Sequence, residues 1–216
     1  MKQSSIFQFI NAHKVPVGIG LVWLFHISAV IGIFLGYESW FISLTPLNLL
    51  IILFSICWIS DFDKSTLLAL LIPFFVGMFA EALGVNFGWI FGNYAYGNNL
   101  GPKFLGVPWM IGVNWAILVY VTANISRQIH SNILITSAIG ALLMTSLDVL
   151  LEVSAPRFDY WEFKEGFAPL QNYFGWFGTA MAAHVSYQSV TKEGHFIFSF
   201  HVFTVFTLFF TIFLFI

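Results

Sequence analysis

Charge is what this sequence has least of. Eight Lys and Arg and ten Asp and Glu make up 8% of its 216 residues, where a soluble domain carries about a quarter. That scarcity excludes a water-solvated globular domain. The net charge of −2, with no basic patch, excludes a nucleic-acid partner. Cysteine is almost missing. Cys57 alone builds neither a disulfide framework nor a thiolate metal site, and inside its apolar run it reads as a small packing residue. The six histidines, His13, His26, His130, His184, His195 and His201, form no HxxxH or HxxHH pair, so the ligand set of a membrane di-iron enzyme is missing and no metal is expected. His26 and His184 fall mid-segment and read as structural hydrogen-bonding groups. The last apolar segment has no lysine for a retinal Schiff base. No P-loop or GxGxxG context, internal repeat or low-complexity tract is present.

What fills the chain is apolar: 59% hydrophobic and 19% aromatic. Crossing a bilayer takes roughly 20 apolar residues, and seven segments qualify, at roughly 15–36, 43–60, 65–83, 107–126, 131–152, 172–190 and 195–216. The expected fold is all-α, a polytopic transmembrane helical bundle of about seven spans, with residues 1–216 forming one integral-membrane domain. The first apolar run exceeds the roughly 7–15 residues of a signal-peptide core, so it reads as a retained helix. Pro46 opens the second segment and Pro73 is expected to bend the third. Asp61, Asp63 and Lys64 mark one tight turn, and Arg127 to Asn132 another. A cytoplasmic N-terminus puts Lys2, Lys14, Lys64, Arg127 and Lys192 inside, against Lys103, Arg157 and Lys164 outside. That five-to-three split favours this orientation.

One stretch breaks the pattern. Glu81 to Pro108, EALGVNFGWIFGNYAYGNNLGPKFLGVP, holds six of the seventeen glycines, four asparagines, six aromatics and two prolines. Irregular polar backbone beside membrane spans is tolerated only where it is buried in protein or lines a cavity. A re-entrant or interfacial segment that builds a site is therefore expected. A second long connection, from about Val153 to Gln171, falls on the same side of a seven-span bundle.

Three acids converge on that side. Glu81 lies near the end of the third segment. Asp148 and Glu152 lie near the end of the fifth, four residues apart and so on one helical face. Ionisable groups within spans point to function; the bland alternative is that all three meet water at the interface. Two close carboxyls do not both ionise easily, and a retained proton equips a general acid. In a greasy pocket that acid can protonate an isoprenoid double bond, giving a carbocation that aromatic faces stabilise. Trp89, Phe91, Tyr94, Tyr96, Trp109, Tyr160, Trp161, Tyr173 and Trp176 offer such faces, or form an interfacial aromatic belt.

Asn86, Asn93, Asn114, Gln171 and Asn172 can hold a water or orient the acids, whereas Asn98 and Asn99 beside Gly97 read as turn residues. Lys103 either pairs with an acid or snorkels to water.

At these residues the chain resembles the CruF-type carotenoid biosynthesis proteins. EALGVNFGWIFGNYAYGNNLGPKFLGVPW follows that family's pattern E-x-x-G-V-x-x-G-x-x-F-G-x-Y-x-Y-G-x-x-L-G-P-K-x-x-G-V-P. LDVLLEVSAPRFDYWEF followed by PLQNYFGWF is similar to its second block. The two blocks cover roughly a third of the chain, and the hydropathy pattern extends the likeness to nearly all of it. The motif positions fall on Glu81, Gly84, Gly92, Tyr94, Tyr96, Gly101, Pro102, Lys103, Pro108, Asp148, Asn172 and Trp176. The chain departs from the family at Val153, where many relatives carry proline.

The resemblance implies a carotenoid hydratase, a hydro-lyase without cofactor, adding water across the terminal 1,2 double bond of an acyclic end group. The implied partners are a γ-carotene-like or lycopene-like substrate, the lipid bilayer and other carotenoid enzymes; the implied location is a bacterial cytoplasmic membrane. In this reading Asp148 or Glu81 donates the proton, Tyr94, Tyr96 or Trp176 flanks the cation, and the other acid handles the water with Asn172 or Asn93. Glu152 completes the catalytic set. Asn86, Lys103, Trp109, Asn114 and Trp161 join the substrate-binding residues. Two readings stay open beside it. A carotenoid cyclase or isomerase shares the protonation step, and a non-catalytic carotenoid-binding membrane protein needs none.

Overall fold

The computed structural model describes residues 12–215. Lys2, used in the orientation count, and Ile216, the end of the last expected segment, lie outside the described residues. The elements are α1 (Lys14–Phe34), a short α2 (Glu38–Ser43), α3 (Thr45–Ile59), α4 (Lys64–Phe87), strands β1 (Tyr94–Tyr96), β2 (Lys103–Phe104) and β3 (Val107–Pro108), α5 (Trp109–Ser126), α6 (Ile133–Ser154), β4 (Trp161–Phe163), α7 (Leu170–Val190) and α8 (Phe196–Ile212). A 3₁₀ turn, Phe213–Phe215, extends α8.

All seven expected segments are helical. Among the described residues five helices, α1, α4, α5, α6 and α8 with its terminal turn, are long and apolar enough to cross a membrane. Of the other two, α3 is apolar but has 15 residues, and α7 has 21 residues but is more polar. The outer surface is apolar as well: Phe75, Phe79, Phe174 and many leucines are exposed, as a lipid-facing surface requires. The chain is an all-α polytopic membrane protein. The helix α2 and the four short strands were not anticipated.

Helix α5 is the centre of the bundle, with 78% of its span buried, and it is the least apolar of the five long helices, as suits a helix that faces protein instead of lipid. It packs against α3, α4, α6, α7 and α8. Glycines let the neighbours close in. A Cβ on Gly77 would overlap the Trp115 ring, and one on Gly140 would overlap the His184 imidazole, so both helix pairs depend on a missing side chain.

Helix α4 starts at an Asp63 cap that accepts from the Thr66 amide at 2.9 Å and runs through Pro73. It ends at Gly88, the left-handed residue (φ 68°) that closes it. Its last helical residue, Phe87, lies four residues beyond the expected end, so Glu81 sits well inside the helix and is 3% exposed.

The two long connections meet at one end of the bundle. β1 pairs antiparallel with β4, Tyr94 opposite Phe163 and Tyr96 opposite Trp161. Beyond the strands the Gly97 amide donates to the Tyr160 carbonyl (2.9 Å), the Asn98 amide to Asp159 Oδ2 (2.8 Å) and the Asn99 side chain to the Phe158 carbonyl (2.8 Å). At the opposite end, Lys14 pairs with Asp61 and Arg127 donates to the Thr191 carbonyl and the Gln188 side chain.

Candidate active site

Strand geometry builds the first wall of the site. Residues two apart on a strand share a face, so Tyr94 and Tyr96 point inward while Ala95 points out. Both hydroxyls donate to Glu81 Oε2, that of Tyr96 at 2.7 Å. Trp115 Nε1 on α5 donates to the other oxygen, Oε1, at 3.1 Å. Three donors therefore converge on one buried carboxyl, the arrangement an acceptor-only carboxylate calls for. Burial first, and then the adjacent Glu81 carboxylate, hold both phenols well above the ordinary tyrosine value, so they stay protonated donors.

The second wall comes from α6, α7 and β4. Asn172 Nδ2 donates to Asp148 Oδ2 at 2.9 Å and to Glu152 Oε1 at 3.2 Å. Trp161 Nε1 donates to Glu152 Oε2 at 3.1 Å. Among the described residues Asp148 Oδ1 is buried without a hydrogen-bond partner. The i, i+4 spacing puts the two acids on one face, and one amide bridges them. Trp115 and Trp176 stack across the site, centroids 4.5 Å apart and planes 13° apart.

Between the walls lies a cavity of about 20 Å³, bounded on its polar side by Glu81, Glu152, Asn114 and Asn172 and otherwise by aromatic rings and Ile111. That is room for one water molecule, which takes at least about 10–15 Å³ and two to four polar partners. Beside it is an apolar chamber of about 420 Å³ walled by α1, α2, α3, α5, α6 and α8, within the usual size of a small-molecule site. Ile111, Asn114 and Trp161 belong to the walls of both, so the two spaces adjoin at these side chains.

Of the expected catalytic residues, Glu81 and Glu152 line the small cavity, whereas Asp148 stands behind it and reaches it only through Asn172. Of the expected binding residues, Tyr94, Tyr96, Asn114, Trp161, Asn172 and Trp176 are brought together there. Four are not. Asn86 is exposed and holds the Leu105 carbonyl at 2.9 Å. The Asn93 side chain is exposed, and its carbonyl accepts from Lys164. Lys103 donates to the Tyr96 carbonyl at 2.5 Å rather than to an acid. Trp109 stacks on Phe104 and Phe74 away from the cavity. All four fasten the 88–108 segment.

Sequence reasoning missed Trp115, Phe163 and the whole chamber. Trp115 lies in a continuous apolar run with no local signal except its neighbour Asn114. The chamber walls are ordinary helix side chains.

The fold and the cavity define a polytopic membrane protein that holds carboxyls and amides around a water-sized space beside an apolar chamber. Residues 41–216 match the sequence model of the carotenoid biosynthesis protein family. The chain belongs to that family, and its role lies in carotenoid biosynthesis. Comparison with curated proteins and with solved structures gives no match.

Proposed function

We propose that the protein is a hydratase acting on the terminal 1,2 double bond of an acyclic carotenoid end group, γ-carotene-like or lycopene-like. The observation that carries this reading is the water-sized polar cavity, set between two carboxyls and adjoining an apolar chamber. A cyclase or isomerase has no use for a water held at the reacting carbon, which favours hydration over those alternatives.

Glu152, at the cavity and four residues from Asp148, is the general acid. Its proton goes to the secondary alkene carbon, and the electron pair of the double bond forms the new C–H bond. The tertiary carbon becomes cationic beside the Trp115–Trp176 stack, whose ring faces stabilise positive charge. Water held by Asn114 and Asn172 forms the C–O bond, and its proton passes to Glu81, the carboxylate kept by three donors. Return of that proton across the cavity to Glu152 resets the site, and the net change is one water added. Asp148 is a positioning residue acting through Asn172. The active unit is taken as a single membrane domain. It lies in a bacterial cytoplasmic membrane with its N-terminus inside, on the five-to-three distribution of Lys and Arg.

The test is expression in lycopene- and γ-carotene-accumulating cells, followed by chromatography and mass measurement of the pigments. A product heavier by one water supports the reading. An isomeric product of unchanged mass means cyclisation or isomerisation, and unchanged pigment in protein-containing membranes means neither; both sink the hydratase.

A further inference from the structure

The chamber's walls include side chains that also belong to the outside of the molecule. On α1, Leu24, Ile27, Ile31 and Phe34 form one exposed stripe at helical spacing; on α3, Leu47, Leu50 and Phe54 form another. Leu24 and Leu47 are 60% and 48% exposed, and both line the chamber. The space between α1 and α3 therefore reaches the apolar surface of the bundle.

Trp40 of α2, the short helix that joins α1 to α3, is also a wall residue and is 59% exposed, so it belongs to the rim of this opening, while Phe41 and Ile42 of α2 cover the top. Glu38 of α2 is gripped by Arg157 through two hydrogen bonds of 2.7 and 3.2 Å, and Thr45 at the start of α3 bonds the Tyr160 hydroxyl at 2.7 Å. Phe206 and Phe209 of α8 close another side, and Ile111, Asn114 and Trp161 form the inner end beside the acids.

We propose that the chamber opens sideways into the bilayer between α1 and α3, at Leu24 and Leu47. A linear polyisoprenoid enters there with its reacting end inward, while the rest of its chain stays in lipid. A space of about 420 Å³ takes a drug-sized ligand, less than a full-length carotenoid, so part of the chain has to remain outside. The portal makes each end of a symmetric polyene a separate visit and leaves the far end unread. This inference rests on the reading that the ligand reacts at the acid-lined cavity.

The test measures lycopene binding, not turnover, by purified protein in lipid vesicles. The double variant Leu24→Trp/Leu47→Trp plugs the portal. Leu68→Trp, on an exposed position of α4 outside the chamber, is the control. Binding should weaken about tenfold or more in the plugged variant and stay unchanged in the control. Folding is kept separate by a second form. Leu47→Cys in a Cys57→Ser background is folded first, then capped in detergent with a bulky maleimide, and should lose binding on capping. Plugged and capped proteins that bind lycopene like the wild type overturn the portal, as does a wild type that binds none. Loss of binding with no water gained in any product supports the portal and sinks the hydratase alone.

Discussion

Replacing Tyr96 by phenylalanine isolates one interaction at the Glu81 carboxyl. The ring stays packed edge-on against Tyr94 and Trp161, at 5.5 and 6.1 Å. The hydroxyl that donates to Oε2 at 2.7 Å is lost, leaving Tyr94 and Trp115 as donors. Tyr96 is 8% exposed, so bulk water does not readily replace that donor. A hydrogen bond to a charged group is worth about 1.5–3 kcal/mol, so the rate should fall by between about tenfold and somewhat over a hundredfold if Glu81 acts as the carboxylate in the reaction. The assay is hydrated product formed per amount of protein in membranes, with Tyr37→Phe, an exposed tyrosine that lines neither cavity, as the control. A Tyr96→Phe protein as active as the wild type would refute the role given to Glu81.

The same tyrosines set an alkaline limit. Their pKa values are raised in the folded state, so the stability they contribute is complete below the unfolded tyrosine value of about 10 and is lost as pH rises above it. Thermal stability measured against pH should fall above that point, and less steeply in Tyr96→Phe. Trp115→Phe keeps an aromatic face on Trp176 but removes the Nε1 donor to Glu81; product formation should drop about tenfold or more while pigment binding persists. Asn172→Leu strips both Asp148 and Glu152 of a donor in a residue 1% exposed; unfolding temperature and activity should fall together, with a stability loss of about 3 kcal/mol or more. Gly77→Ala drives a methyl into the Trp115 ring and should cost about 1–3 kcal/mol in a thermal or denaturant melt.

Much of this protein is legible along the chain because lipid imposes a coarse rule. A scarcity of charge and long apolar runs were enough to find seven helices, since backbone polar groups in a bilayer have to bond within their own segment. The Glu81–Pro108 block was legible for the same reason: so many glycines and amides beside apolar helices make sense only around a cavity. Grouping the acids at one end followed from counting helices.

What the chain could not say is which side chains point inward. Asn86 and Asn93 look like Asn114 and Asn172 in the sequence, yet the first two fasten a loop and the last two face the cavity. Asp148 looks like the principal acid, yet Glu152 reaches the cavity and Asp148 stands behind an amide. Trp115 was hidden in an apolar run until Gly77 gave its indole room and Glu81 came within reach of it. The chamber is made by helices from distant parts of the chain, and no periodicity records the space between them. Sequence by itself determined the class of environment, the helices and the residue types of the site, because hydropathy and backbone hydrogen bonding act locally. Tertiary structure alone decided which carboxyl faces the cavity, where a water fits and where an apolar chain lies, because those depend on packing between segments far apart in the chain.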